Sequence, residues 1–201
     1  GSTLSSSRAE TVQRPDAAAL KDELRGSDVP QLEPDRKQIE NHFKAHFKNA
    51  TPGSLVSLRS FHDDESNRVF EIKFMPVDDL ERVISEACAH ARRAANARHK
   101  IVFCPPIATF SRRRAGKEDV LDGLTLSVEI DERPAESLAK LEKLLGPATM
   151  VVESGGTWAD PNTGEIQPKL HAHWRLKVPA RGSDRALLEA ARVGAIALVG
   201  S

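Results

Sequence analysis

The stretch LTLSVEID, residues 124–131, alternates apolar and polar side chains and is followed by PAESLAKLEKLL, residues 134–145. A period of two giving way to a period of three to four is the signature of a strand feeding a helix. Leu138, Leu141 and Leu145 then share one side of that helix. Beyond it, TMVVES (149–154) and KLHAHWRLKV (169–178) read as strands, and SDRALLEAARVGAIAL (183–198) as a helix. The order from residue 124 is β-α-β-β-α, the ferredoxin-like order lacking its final strand. In such a sheet the first and third strands are central neighbours. The chain stops at Ser201, where the final strand or its approach is expected.

Upstream, the periodicity predicts an αββα unit. A helix is expected from PDRKQIENHFKAHFKN, with Pro34 in its first turn and Ile39, Phe43 and Phe47 forming one apolar stripe. Thr51-Pro52-Gly53 ends it. SLVSLRSF (54–61) and RVFEIKFM (68–75) alternate as a hairpin around HDDESN. Residues 78–98 read as a helix, acidic in its first turn and Arg-rich in its last. KIVFCPP reads as a short buried strand stopped by prolines, and a polar loop containing TFSRRRAGKEDV follows. Residues 1–33 are Ser-, Ala- and charge-rich and read as a loose arm or linker, with a brief helix at Ala17–Leu24. The opening Gly1-Ser2 reads as an expression scar on a chain cut from something larger.

Composition narrows the function classes. Lys+Arg and Asp+Glu are both 29 in 201 residues, so any nucleic-acid contact must come from a local basic patch. Cys88 and Cys104 have no metal or redox spacing, which argues against a disulfide framework and suits a reducing, cytoplasmic compartment. No run reaches the length of a membrane span, and no basic-then-apolar leader is visible.

Three patterns carry candidate chemistry. Glu129 and Asp131 leave one face of the first strand, while Val128 and Ile130 point into the helix layer. Two adjacent carboxylates suit a hard cation, Mg²⁺ or Mn²⁺, although a solvated acidic strand would show the same spacing. His171, His173 and Arg175 share a face of the third strand, opposite Leu170, Ala172, Trp174 and Leu176. If both sets use the open face of the sheet, carboxylates and imidazoles meet across the central strands. Ser154-Gly155-Gly156 opens the loop ESGGTWADPNTGEIQP and could offer backbone N–H groups to an anion, or simply supply φ > 0. Arg112, Arg113, Arg114 and Lys117 could reach phosphates, or be a solvated loop.

Tyrosine is absent, which removes the nucleophile of His-hydrophobic-His nicking enzymes. Trp174-Arg175 stand where a metallo-β-lactamase needs Asp and His, and the paired His-x-Thr/Ser of certain phosphoesterases is missing.

SVEID, VVESGG and KLHAHWRL together resemble the archaeo-eukaryotic primase superfamily, in particular primase-polymerase domains of plasmid, phage and mobile-element replication proteins. That family has two acids one residue apart on a strand, then a Ser/Gly-rich strand end followed by a histidine in a GLHLYWRL-like context. VSLRSF and VFCPPIATF look like its amino-terminal part, so the resemblance covers roughly residues 36–201. It implies a catalytic domain over 34–201, with an amino-terminal unit at 34–99 and an RRM-type, mostly antiparallel module at 100–201. By the same resemblance Glu129 and Asp131 hold Mg²⁺ or Mn²⁺, and His171 contacts the incoming nucleoside triphosphate beside Ser154, His173 and Arg175. Arg112 to Arg114 and Lys117 are then the phosphate or template contacts. The implied reaction is template-directed nucleotidyl transfer on single-stranded DNA, alongside a helicase in the same chain or replisome, with no membrane partner. The family's third acid is not seen, since no acid follows Glu189. The alternative is a catalytically inactive nucleic-acid-binding module, which would need more aromatics on the sheet than these strands carry.

Overall fold

The computed structural model describes residues 31–199. The arm expected at 1–33 and the helix at Ala17–Leu24 lie, apart from residues 31–33, outside the described residues. From Glu33 onward the chain forms one compact unit. It is mixed α/β, with helices flanking a seven-stranded sheet whose strand pairs are all antiparallel.

The first helix, α1 (Arg36–His46), starts after Asp35, whose carboxylate accepts from the backbone N–H of Lys37 and Gln38. Pro34 therefore precedes the cap rather than sitting in the first turn. A 3-10 turn, Phe47–Asn49, completes the predicted stripe, and Phe43 and Phe47 are buried. β1 (Leu55–His62) and β2 (Val69–Pro76) form the hairpin expected, and α2 (Leu80–Ala95) is capped by Asp79.

The segment after α2 departs from the sequence reading. β3 (Ile101–Cys104) pairs with one end of β1, and a second short strand, β4 (Ala108–Phe110), pairs with the other end. Pro105 and Pro106, which have no N–H to donate, separate the two. β3 is not a buried strand, since Val102 is 43% exposed. Thr109 and Phe110 are strand rather than polar loop. A 3-10 turn, Lys117–Asp119, leads into β5 (Val120–Ile130), which begins four residues before the expected stretch.

α3 (Pro134–Leu145) follows, with Leu141 fully buried and Leu138 packed beneath it, whereas Leu145 is 40% exposed. β6 (Met150–Ala159) and β7 (Ile166–Ala180) form one long hairpin, and α4 (Asp184–Val199) closes the described chain. Most of the loop expected at 153–168 is therefore strand. Between Glu153 and Thr157 the ladder bulges, with Gly155 at φ +86°, and then resumes to the turn at Asp160–Glu165.

The sheet order is β2-β1-β4-β5-β7-β6, with β3 on β1. Its two halves are covered on opposite faces. α1 and α2 bury Phe43, Val56, Leu58, Val83 and Ile84 against the β1–β2 side. α3 and α4 bury Val128, Ile130, Leu141, Ala172, Trp174 and Ala195 against β5 and β7. Each large apolar side chain so buried stabilises by about 1.5–3 kcal/mol relative to exposure. What remains is an open face on β5–β7–β6, on the side of α1, and a second open face on the β1–β2 half, on the side of α4. Among the described residues no helix is long and apolar enough to cross a membrane.

Candidate functional site

The first open face gathers the carboxylates and imidazoles. Alternation on β5 sends Val128 and Ile130 into the α3/α4 core, so Ser127 and Glu129 face the other way. On β7, Ala172 and Trp174 are buried against the same helices, and the Trp174 indole N–H donates to Gly146 O at 2.8 Å. His171 and His173 are thereby turned to the α1 side. Register pairs Glu129 with His171 and Ser127 with His173 directly across the strands.

Glu129 Oε1 lies 3.2 Å from His171 Nε2, and both side chains are substantially exposed. The contact lacks hydrogen-bond alignment, so His171 Nε2 is left without a hydrogen-bond partner. Asp131 sits just past the end of β5, and its Oδ1 is 3.0 Å from Lys169 Nζ. The cation beside this carboxylate is thus an ammonium from β7. The chain leaves the site through Arg133, held at φ +44°. Ser154 lies in the β6 bulge, donating its hydroxyl proton to Lys169 O at 3.3 Å. No preformed nest is needed to explain Gly155 and Gly156, because the bulge itself takes both.

His173 and Arg175 are on the predicted face but beneath α1. His173 is buried against His46 and His42, at ring-centroid distances of 5.1 and 6.2 Å. Arg175 Nη1 donates to Ala45 O, at the carboxyl end of α1, at 2.8 Å. His42 Nε2 is 2.8 Å from Pro106 O, and His46 Nδ1 is 3.1 Å from Thr125 Oγ1. His46 Nε2 and His173 Nδ1 are buried with no partner.

The cluster is held neutral. Burial, reinforced by His42, His173 and Arg175, takes His46 down to about 3. Burial, with His42 and His171, takes His173 down to about 4. Burial also lowers His42, against the Pro106 carbonyl that raises it.

The basic run does not join this face. Arg112 and Arg114 pair with Asp119, Arg114 also with Glu118, and Lys117 with Glu189 of α4 at 2.6 Å. Lys117 stands at the start of β5 and Glu129 near its end, roughly 30 Å apart at the rise of a strand. Arg113 is exposed in the same loop. The structure thus sets Glu129 beside His171 and Asp131 beside Lys169, with Ser154 bonded to the Lys169 carbonyl; His173 lies 6.4 Å from His171 but buried under α1 with Arg175, and the Arg112–Lys117 run is remote from all of them.

Three contributors were missed by sequence reading: Lys169, His42 and His46. The histidines stand four apart on a helix, a spacing that puts both on one face and could have been noticed. Lys169 carries no such signal.

Among the described residues, no group of three or more His, Cys, Asp or Glu side chains is disposed to hold a metal ion. Glu129 and Asp131 each lie within ion-pair range of a basic side chain, His171 and Lys169, and carboxylate oxygens are the ligand type that a hard divalent cation takes. Comparison with protein-family models, with curated proteins and with solved structures found no match.

Proposed function

We propose that this chain is a nucleotidyl-transfer domain of the primase-polymerase type, which builds or extends primers on single-stranded DNA from nucleoside triphosphates. The observation that carries this reading is the pairing of Glu129 on β5 with His171 on β7, with Asp131 beside them on an open sheet face. The order β5-β7-β6, with α3 and α4 on the opposite side, supports a ferredoxin-like, RRM-type module whose fourth-strand edge is taken by β4.

Glu129 and Asp131 would hold Mg²⁺ or Mn²⁺, which supplies acidification of the attacking hydroxyl and charge neutralisation at the leaving pyrophosphate. The protein's own residues have distinct tasks. His171, half exposed beside Glu129, offers a ring N–H to a phosphate oxygen. Lys169 leaves Asp131 when the nucleotide enters and pairs with a phosphate instead. Ser154 contributes a hydroxyl at the same end of the site.

Primer synthesis tests the reading. Glu129→Ala with Asp131→Ala is expected to lower activity by about a hundredfold or more, and unchanged synthesis would reject it. A second reading, a nucleic-acid-binding module without catalysis, draws on the Asp131–Lys169 ion pair and on the absence, among the described residues, of a group of three side chains disposed to hold a metal. Mn²⁺-dependent binding of a deoxynucleoside triphosphate favours the enzyme, and metal-independent binding of single strands alone favours the module.

A further inference from the structure

The second open face adjoins a cleft of about 820 Å³ between α4, β4 and the start of β5. Its floor is apolar, formed by Ile107, Phe110 and Leu188, and its walls carry Arg59, Lys117, Arg185 and Arg192. Two carboxylates also line it, and both are already matched: Glu189 by Lys117 at 2.6 Å, and Glu118 by Arg114 at 3.0 Å.

The three guanidiniums are not matched in this way. Arg185 donates to the backbone carbonyls of Gly182, Lys117 and Val120. Arg59 lies 5.9 Å from the ring centroids of Phe61 and Phe110, with no carboxylate in salt-bridge range among the described residues. Arg192 has its Nε buried with no hydrogen-bond partner. A half-buried guanidinium with an unmet donor, in a cleft that a second guanidinium also lines beside an apolar floor, matches a ligand with anionic oxygens attached to an apolar group. The cleft has the size of a small-molecule site.

We propose that this cleft is a nucleotide-binding site separate from the Glu129 face, holding a nucleotide unit with its base against the half-buried Ile107 and Leu188 and its phosphate on the Arg59 and Arg192 guanidiniums. It lies against the α4 side of the sheet, whereas Glu129 and His171 face α1, so the two sites do not share side chains. The nucleotide unit comes either from a free nucleotide or from a single strand crossing the cleft. The chemistry is the same.

Binding in EDTA removes any nucleotide held through metal on Glu129 and Asp131, and the effect of the cleft substitutions then assigns the remaining binding to the cleft rather than to the Glu129 face. Equilibrium dialysis with dATP and fluorescence anisotropy with a labelled oligothymidylate distinguish the two sources. Saturable binding of either is expected, weakened by about tenfold or more in Arg59→Gln/Arg192→Gln while the melting curve is unchanged. Absence of binding by both probes, or equal affinity in the parent chain and the variant, overturns the proposal. Neither result bears on metal-dependent catalysis at Glu129.

Discussion

His46 and His173 bury two imidazoles against each other, and each keeps one nitrogen that meets nothing. Neither can take a second proton without a charge forming in a dry space beside other imidazoles and Arg175, which is why they titrate near 3 and 4. The unfolded chain binds those protons near pH 6.5, so acid favours unfolding. Stability is complete above about pH 6.5 and declines as pH falls towards 4, by about 2 kcal/mol for each imidazole at pH 5. Urea melts across this range should show the slope, and His46→Gln, which cannot titrate, should flatten it. At this scale strand parity was legible: His171 and His173 do share a face. Their inequality was not. Whether a side chain on that face meets water or α1 depends on a helix more than a hundred residues away in the chain.

Among the elements, β5 and α4 come close at Gly123. A Cβ there would stand 2.7 Å from Leu188 Cδ2. Gly123→Ala should therefore push α4 off the strand, at a cost of about 1–3 kcal/mol, measurable as a lowered thermal midpoint with the far-ultraviolet spectrum retained. Gly156 makes a softer case. Its Cβ would meet Lys169 Cδ at 2.9 Å, the flexible stem of the side chain that pairs with Asp131. Gly156→Ala should leave stability within about 0.5 kcal/mol but turn Lys169 away from Asp131, a change that proton resonances of the ammonium would report. The major helices and the long strands were readable because their periodicity runs over many residues. β4 was hidden by its three-residue length between prolines and arginines. The β6–β7 extension was hidden because Ser-Gly-Gly has the composition of a loop, while cross-strand hydrogen bonds carry the ladder past the bulge.

Across the whole molecule, two cores on opposite faces of one sheet must be held together, and Asp122 does much of this. Its buried carboxylate accepts from Thr51 N at 2.8 Å and Oγ1 at 2.9 Å, Thr109 Oγ1 at 2.8 Å and Arg181 Nε at 2.6 Å. The donors come from the turn after α1, from β4 and from the end of β7. Burial alone would raise this carboxyl, but the bonds from Thr51, Arg181 and Thr109 outweigh it and hold it low. Its contribution is present above about pH 4 and is lost as pH falls through the depressed value. Asp122→Ala, which strands those donors, should cost about 3–5 kcal/mol. Hydrogen exchange would then show the α1/α2 core opening separately from the α3/α4 core, where the parent chain opens as one unit.

The sequence by itself determined which residues alternate and which recur at helical spacing. It therefore settled the order of the main elements and the polar and apolar faces of β5 and β7, while the pairing of Glu129 with His171 came from the strand register. Those are local properties, written in periods of two and of three to four. Only the tertiary structure decided that α1 covers His173 and Arg175 while leaving His171 open. It also decided that Lys169 neutralises Asp131, and that the Arg112–Lys117 run turns to α4 and away from the carboxylates. Each of these follows from contacts between segments distant along the chain, and so from how two helical layers choose opposite faces of one sheet.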